Sequence, residues 1–546
     1  MNLQETKLYN ILDSIISFFE KERFGILTLF IWITFLSALR MWTEAKLLGY
    51  AYQELSYQYF FAQLHITAFF ITVYIGGVLL LKFYSKQRLA KVANLSALGF
   101  IMVLVPPFID LLMHQNPTPY TYGSPIFFVE YFNSLLTGAS TGTADSLFEG
   151  GLGIIFELVG ITIATSLYVL IRSKSIVRTL LNSVTFIALF IIIGSPFLVL
   201  LRSTAGQLVH PLFIVRYIVI SIILLLLLLW STNKKLFSSF LKSSRLLTTA
   251  HFSLMTIIGI FIAGHLQQIE FIQFEIGNLI GDPVFWQVFT GNIGTFFLSI
   301  FAIIFVWQYA VMINHVYDVQ IDRVDNSNRL IPSGLLSRKQ VKKIAFVYAI
   351  IAVGLGVSLG VWSLLLVLLG LFFGTIYSVP PIRLRDGVFS TTIIGIGSTI
   401  AFFLGYMTPG YVKIMHGELA RTITRTYPEV TADSLAIGLV IFIALTIGPL
   451  IKDYKDYEGD KKAGVKNLFT IYGLEKGVKI TSILLPVPFL CLLLLFHTVI
   501  DIAILVPFGL LAGVLFYKFK DTRIVFAIYF PIILYCLLRW FEFISF

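Results

Sequence analysis

The stretch FLSIFAIIFVWQYAVMINHVYDVQIDRVD, residues 297–325, is an apolar run that ends in a polar and acidic segment. An apolar run of this kind is long enough to cross the hydrocarbon core of a membrane as a helix. Asn314, Asp318 and Asp322 follow each other at spacings of four, so a continued helix places them on one face. Because carboxylates beside lipid are costly, they usually hold a cation or line a polar route. The stretch therefore predicts a membrane helix with a functional polar end.

The composition of the whole chain indicates a membrane protein. Hydrophobic residues make up 57% of its 546 residues and charged residues 13%, and the mean hydropathy is +0.88. These values lie outside the range of soluble globular proteins. Apolar runs of membrane-crossing length predict an all-α polytopic protein with about 15 transmembrane helices, about six before residue 235 and about nine after it.

The distribution of basic residues predicts the topology. The net charge is +11, and Lys and Arg concentrate in cytoplasmic loops. Alternate loops are rich in Lys and Arg, whereas the long loop of residues 114–150 contains neither. We therefore expect a multi-pass protein of the cytoplasmic membrane, with its N-terminus and both of its acidic segments on the cytoplasmic side. Topology and anionic membrane lipids explain the basic surplus, so no nucleic acid partner is expected.

A polar stretch at residues 232–249 predicts a domain boundary. We place it near residue 245, which divides the chain into regions 1–245 and 246–546. The first region is expected to contain six membrane helices, and it shows no cluster of chemically active residues. Its function is not predicted.

A second acidic segment follows in the later region. It reads IKDYKDYEGDKKAGVKNLFTIYG, from Ile451 to Gly473, and places Asp453, Asp456 and Asp460 at spacings of three and four. Like charges at these spacings repel on a helix unless a cation offsets them. Carboxylate and amide oxygens favour Mg²⁺, which commonly bridges to substrate phosphates.

Both acidic segments have simpler interpretations. A single carboxylate at a helix end is usually a solvated loop residue, but two clusters on one side of a membrane are less easily accidental. A cation-coupled membrane transporter is the alternative from another functional class, since membrane carboxylates also carry ions. The carboxylates here lie at helix ends, whereas the coupling site of a carrier approaches the midplane of the membrane.

The sequence resembles the UbiA-type intramembrane prenyltransferase superfamily over about residues 246–546. The first acidic segment is similar to the NDxxDxxxD motif of that superfamily, and the second is similar to its DxxDxxxD motif. Between them, YSVPPIRLRDG, from Tyr377 to Gly387, resembles its Tyr-Ser-x-Pro-Pro-x-Arg-Leu-Lys loop. The chain departs from the pattern where His315 replaces Asp, Leu330 replaces Pro, and Asn467 with Phe469 replaces part of a Thr-Leu-Pro sequence.

The resemblance implies a nine-helix prenyltransferase bundle that transfers an isoprenyl group from an allylic polyprenyl diphosphate to an aromatic or lipid acceptor and releases diphosphate. A UbiA-type terpene cyclase or a polyprenyl-phosphate phosphoribosyltransferase remains an alternative within the superfamily. Tyr377 is expected to stabilise the allylic cation or to position the acceptor, and it joins the five aspartates as a catalytic candidate. The resemblance assigns Mg²⁺ to Asn314, Asp318, Asp322, Asp453, Asp456 and Asp460. It assigns the diphosphate to Asn314, Arg329, Arg383, Lys461 and Lys466.

Overall fold

The computed structural model describes residues 7–22, 24–47, 57–112, 152–194, 210–267, 283–325, 329–387, 390–416 and 420–540. The described residues are almost entirely helical, which confirms the predicted all-α class. The chain divides into two compact units. The first unit is Met1–Leu241, Ile272–Leu298 and Lys413–Ile423, and the second is Lys242–Phe271, Ser299–Val412 and Thr424–Phe546.

Helices also dominate the early part of the chain. They span Lys7–Phe19, Ile26–Leu47, Tyr57–Ser85, Leu89–Gly99, Pro106–Leu112, Leu152–Ser173, Ile176–Gly194, His210–Thr232 and Lys234–Ser243. Their apolar lengths give six candidate membrane spans among the described residues of this region, the number expected from the sequence. Aromatic residues fill much of the core, where Phe69, Phe70 and Tyr217 are buried together. The guanidinium of Arg172 forms ion pairs with Asp13 and Glu20.

The later part of the chain is also helical. They span Leu246–Gln267, Pro283–Tyr317, Val319–Asp325, Arg338–Leu359, Val361–Ser378, Ser390–Tyr406, Ala432–Ile447, Leu450–Ala463, Leu468–Tyr472, Leu474–Leu484, Val487–Cys491, Val499–Phe519 and Thr522–Trp540. Seven of the 13 candidate spans of the described chain lie here, together with the shorter apolar helices Ser390–Tyr406 and Ala527–Trp540. The structure therefore agrees with the predicted nine-helix bundle.

A two-stranded sheet interrupts the helices. Its strands, Gly410–His416 and Ala420–Thr426, pair with each other. After it, Thr431 caps the helix Ala432–Ile447, because its side chain accepts a hydrogen bond from the backbone N–H of Ser434.

Small residues allow the helices of the second unit to approach closely. A Cβ atom on Gly405 would lie 1.9 Å from the carbonyl oxygen of Thr256, and one on Gly259 would lie 2.0 Å from that of Phe402. The hydroxyl of Thr256 donates to the carbonyl of Ala401 over 2.9 Å. Because apolar burial does little to drive helices together in lipid, such close backbone contact is a main source of stability. These residues hold the helix Leu246–Gln267 against Ser390–Tyr406.

A second close contact sets the position of the polar residues described below. A Cβ atom on Gly374 would lie 2.9 Å from the Cβ of Ala310. One residue away on each helix, the hydroxyls of Tyr309 and Thr375 lie 2.7 Å apart. These contacts fix the end of the helix Val361–Ser378 beside the end of the helix Pro283–Tyr317.

Candidate active site

The first acidic segment lies at the end of a long helix. The helix Pro283–Tyr317 stops at Tyr317, and a short helix, Val319–Asp325, follows immediately. Backbone hydrogen bonds still join Asp318 to Asn314 over 2.9 Å and Asp322 to Asp318 over 2.8 Å. The three polar side chains therefore keep the predicted helical spacing. Asn314, Asp318 and Asp322 are only 5%, 3% and 2% exposed, respectively.

Each of these buried side chains has cationic or polar partners. Arg329 donates to the carboxylate of Asp322. On the other side of that carboxylate, Nδ1 of His315 lies 3.2 Å from Asp322 Oδ2. The carboxylate of Asp318 accepts from Nη2 of Arg383 over 3.2 Å and also contacts the guanidinium of Arg385. Pairing of this kind offsets the cost of burying a carboxylate.

The residues between the two acidic segments form a compact connection after the helix Val361–Ser378. Arg383 has a left-handed backbone, with φ of +37°, and a short 3₁₀ helix, Leu384–Asp386, follows it. The Nε atom of Arg383 lies 2.9 Å from Asp386 Oδ2, and that of Arg385 lies 3.5 Å from Asp386 Oδ1. Asp386 thus aligns the two guanidinium groups that reach Asp318.

The three aspartates of the second acidic segment lie on one helix, Leu450–Ala463, which ends at Gly464, whose φ is +71°. The Nδ2 atom of Asn467 donates to Asp460 Oδ2 over 2.7 Å, while its Oδ1 accepts from the backbone of Phe469 and Thr470. Asn467 therefore has two roles: its oxygen caps the next helix, and its amide nitrogen holds the carboxylate of Asp460 in place. This explains how the chain accommodates its departure from the superfamily pattern at this position.

Contacts of the connecting segment reach both acidic segments. Arg385 touches Asp318 and interacts electrostatically with Asp460. Tyr377 interacts electrostatically with Asp453, and the backbone N–H of Lys466 donates to the carbonyl of Asp386 over 3.1 Å. The two acidic segments thus share partners in the segment 377–386.

The sequence of this part of the chain matches a known family. Residues 280–525 match the profile of the UbiA prenyltransferase family, and they include both acidic segments and the connection between them. This part of the chain belongs to the UbiA prenyltransferase family. It is an intramembrane prenyltransferase domain, referred to below as the UbiA domain.

Several relatives carry prenyltransferase names. Digeranylgeranylglyceryl phosphate synthase of Saccharolobus solfataricus is 28% identical over 208 residues, which is 37% of this chain and 67% of the relative. A probable chloroplastic homogentisate phytyltransferase 2 of Oryza sativa subsp. japonica is 30% identical over 191 residues, covering 35% of this chain and 47% of the relative. The bacteriochlorophyll synthase 33 kDa chain of Rhodobacter capsulatus is 29% identical over 170 residues, covering 30% and 50%. The chain thus spans about half of the length of the last two relatives.

Solved structures give weaker matches. A structure concerning digeranylgeranylglyceryl phosphate synthase in membranes shares 19% identity, with a TM-score of 0.41, and the match covers 57% of this chain and 98% of that one. A UbiA homolog from Archaeoglobus fulgidus bound to DMAPP and Mg²⁺ shares 17% identity, with a TM-score of 0.37, and the match covers 51% and 85%.

The donor atoms of the UbiA domain suit a magnesium ion, although the acidic side chains do not form a ready cluster. Among the described residues, no group of three or more His, Cys, Asp or Glu side chains is arranged to hold a metal. The carboxylates of Asp318 and Asp322 are instead paired with arginines. In the second segment, however, Asp453 Oδ2 is buried and accepts no hydrogen bond from the described residues. A buried carboxylate oxygen without a partner is costly, and a hard cation is a suitable partner for it.

Other predicted residues occupy more open positions. Asp456 is half exposed and lies 3.7 Å from Nζ of Lys452. Lys461 is exposed, and its Nζ donates to the hydroxyl of Tyr457 over 3.3 Å. The side chain of Lys466 is exposed although its backbone contacts the connecting segment. The arginines therefore lie closer to the buried carboxylates than the two lysines do.

Three residues of the site were not predicted. Arg385 and Asp386 stand inside the quoted motif YSVPPIRLRDG, so the signal was present, but a sequence pattern does not show which of two nearby arginines reaches a carboxylate. Arg245 donates from Nη2 to Asn314 Oδ1 over 2.9 Å. Its position at the predicted domain boundary gave no indication of this contact.

Proposed function

We propose that the UbiA domain transfers an isoprenyl group from an allylic polyprenyl diphosphate to a hydrophobic aromatic or lipid acceptor, with Mg²⁺ as cofactor and diphosphate as leaving group. The observation that carries the proposal is the position of the connecting segment. Its Arg383 and Arg385 pair with Asp318 of the first acidic segment, and the carbonyl of its Asp386 accepts from the backbone N–H of Lys466 in the second over 3.1 Å. Family membership of residues 280–525 supports the same chemistry.

The arginines of the site are suited to the charge of a diphosphate. A guanidinium offers several N–H donors in a planar arrangement and binds phosphate oxygens in pairs. Arg329, Arg383 and Arg385 line the buried carboxylates, and their side chains remain between 22% and 26% exposed. We assign these three residues to the diphosphate, with Lys461 and Lys466 as more peripheral contributors.

Six oxygen-bearing side chains are available to Mg²⁺. When bound, the ion neutralises charge that develops on the departing diphosphate oxygen. Arg383 and Arg385 lie on Asp318, so they must share that carboxylate with the ion or move towards the substrate phosphates. We assign the metal to Asn314, Asp318, Asp322, Asp453, Asp456 and Asp460.

The transfer itself breaks one bond and forms another. The allylic C–O bond breaks, its electron pair leaves with the diphosphate, and the acceptor nucleophile bonds to the allylic carbon and loses its proton. Tyr377 lies at the end of the helix Val361–Ser378. It interacts electrostatically with Arg245, Asp386 and Asp453. An aromatic ring at this position stabilises developing positive charge or positions the acceptor. The charge pattern of the loops supports a reaction at the cytoplasmic side of the membrane.

The activity is tested with the purified full chain in lipid or detergent. Mg²⁺, allylic diphosphates of several lengths and a membrane lipid extract are supplied, and the products are identified by mass spectrometry. A prenylated acceptor with equimolar diphosphate release supports the proposal. A cyclic hydrocarbon points to a terpene cyclase, and a ribosylated polyprenyl phosphate points to a phosphoribosyltransferase. Cation-dependent uptake into proteoliposomes without diphosphate release contradicts enzymatic transfer.

A further inference from the structure

We propose that Arg245 is a further binding residue for the diphosphate group of the substrate. This inference rests on the proposed function, and it adds to the site a residue that precedes the matched family segment. Arg245 lies between the helices Lys234–Ser243 and Leu246–Gln267. A domain boundary between residues 245 and 246 would place Arg245 and its hydrogen-bond partner Asn314 in different domains.

The chain around Arg245 is fixed onto the long helix of the site by three consecutive residues. The carbonyl of Ser243 lies 3.2 Å from His315 Nε2. The carbonyl of Ser244 accepts from Gln308 Nε2 over 2.9 Å, and Arg245 itself donates to Asn314 Oδ1 over 2.9 Å. Ser243 and Ser244 are buried. The guanidinium of Arg245 is therefore held at the acidic segment by its backbone neighbours as well as by its own hydrogen bond.

Arg245 also has an unusual backbone conformation. Its φ of +47° lies in the left-handed region, which residues other than Gly seldom adopt. The chain turns there between two helices and directs the side chain of Arg245 to Asn314.

The contact with Asn314 also fixes the orientation of that carboxamide. Arginine is only a donor, so the atom of Asn314 that faces it must be the oxygen. The opposite atom, Nδ2, then faces the hydroxyl of Ser378 at 3.4 Å. Arg245 thus orients an oxygen that the proposed function assigns to the metal.

Arg245 differs from the other arginines of the site in its charge partners. Arg329, Arg383 and Arg385 each form an ion pair with a buried aspartate. Among the described residues, Arg245 has no carboxylate within ion-pair distance, and its hydrogen-bond partner is a neutral amide.

The surroundings of Arg245 add further positive charge. Arg329 and Arg385 act on Arg245 as like charges, and Asp322 acts on it as an opposite charge. A partly buried guanidinium among like charges is stabilised when an anion binds. A diphosphate bound against Arg329 and Arg385 would supply that anion within reach of Arg245.

The test compares variants of the full-length protein purified in detergent. Arg245→Gln removes the charge, Arg245→Lys keeps it, and Arg338→Gln is a matched control at an exposed arginine. Calorimetry with inorganic pyrophosphate and Mg²⁺ gives Kd, and prenyl transfer gives KM and kcat. We expect Arg245→Gln to raise Kd and the KM for the allylic diphosphate by about tenfold or more, since a charge-assisted hydrogen bond is lost. Arg245→Lys should retain part of the affinity, and Arg338→Gln should retain all of it.

The outcomes separate the inference from the proposed function. If the unmodified protein transfers prenyl groups and Arg245→Gln leaves both Kd and KM unchanged, the inference is wrong and the function stands. If pyrophosphate binding depends on Arg245 but no prenylated product forms, the binding residue stands and the function is wrong. If Arg245→Gln does not fold, Arg245→Lys decides, because a Kd and a KM equal to those of Arg338→Gln would then count against a specific guanidinium contact.

Discussion

Arg385 contacts the carboxylate of Asp318, which joins the connecting segment to the end of the long helix of the UbiA domain. Burial lowers the pKa of Arg385, while the charges of Asp386 and Asp460 act in the opposite direction. The guanidinium is paired with Asp318 of the first acidic segment and with Asp386 of its own segment. The proposed diphosphate site centres on this pairing.

Replacing Asp318 by Asn should abolish most prenyl transfer without unfolding the protein. The carboxylate is 3% exposed and receives Arg383 as well as Arg385. Asn keeps the shape of the side chain but removes the charge, so both the arginines and the metal lose their anionic partner. We expect kcat to fall by about 100-fold or more, the range seen when one preorganised charge partner is removed. Steady-state kinetics on purified protein measures this loss.

Asp521→Asn provides the control for that substitution. Asp521 pairs with Arg523 in the turn before the last helix, and backbone and side-chain hydrogen bonds from Arg523 keep its pKa below the ordinary value. It does not contact the site residues named above, so its variant should retain full activity. Equal activity of the Asp318 and Asp521 variants would contradict the role assigned to Asp318.

Replacing Asp453 by Asn should remove part of the response of the protein to magnesium. Asp453 Oδ2 is buried and accepts no hydrogen bond from the described residues, and Asp456 and Asp460 lie on the same helix. A bound ion stabilises the folded state by mass action. We expect Mg²⁺ to raise the Tm of the unmodified protein and to raise that of the variant by clearly less. Thermal unfolding of both proteins across a Mg²⁺ titration measures the difference.

Removal of one negative charge also relieves repulsion in that helix. Without Mg²⁺, the Tm of the Asp453 variant should therefore equal or exceed that of the unmodified protein. An identical Mg²⁺ response in the two proteins would exclude Asp453 as a ligand.

The helices were predictable from sequence because each follows from local composition. Apolar runs of membrane-crossing length need no partner to be recognised, and the spacing of Asn314, Asp318 and Asp322 fixes their common helix face. The nine helices predicted for residues 246–546 follow from the same rule, although Ser390–Tyr406 is shorter than a typical span.

Tertiary contacts were less accessible from the sequence. Arg245 and Asn314 are separated by 69 positions in the chain, and no local pattern pairs them. The sheet of Gly410–His416 and Ala420–Thr426 was also missed, because its residues mix charged and apolar types without a regular alternation. A sequence pattern identifies the residue types of a site, but the approach of the helices decides which of them meet.

The basic residues of the site should differ in importance according to their exposure. Arg385 is 22% exposed and touches Asp318, whereas Lys461 is exposed and contacts Tyr457. An exposed charge is screened by water and contributes little to binding. We expect Arg385→Gln to raise the KM for the allylic diphosphate by about tenfold or more, and Lys461→Gln to change it by less than about threefold. Parallel kinetics of the two variants measures this order, and a larger effect at Lys461 would reverse the assignment.

Gly405 should be necessary for the packing of two helices of the second unit. A Cβ atom there would lie 1.9 Å from the carbonyl oxygen of Thr256, so Gly405→Ala must separate the helices Leu246–Gln267 and Ser390–Tyr406. Overpacking of this kind costs about 1–3 kcal/mol, and we expect a clear decrease in Tm.

Gly459→Ala is the matched control, because a Cβ atom there meets nothing within 4 Å. It should leave Tm unchanged or raise it slightly, since Ala favours a helix over Gly. Equal Tm values for the two variants would show that these helices do not pack through Gly405.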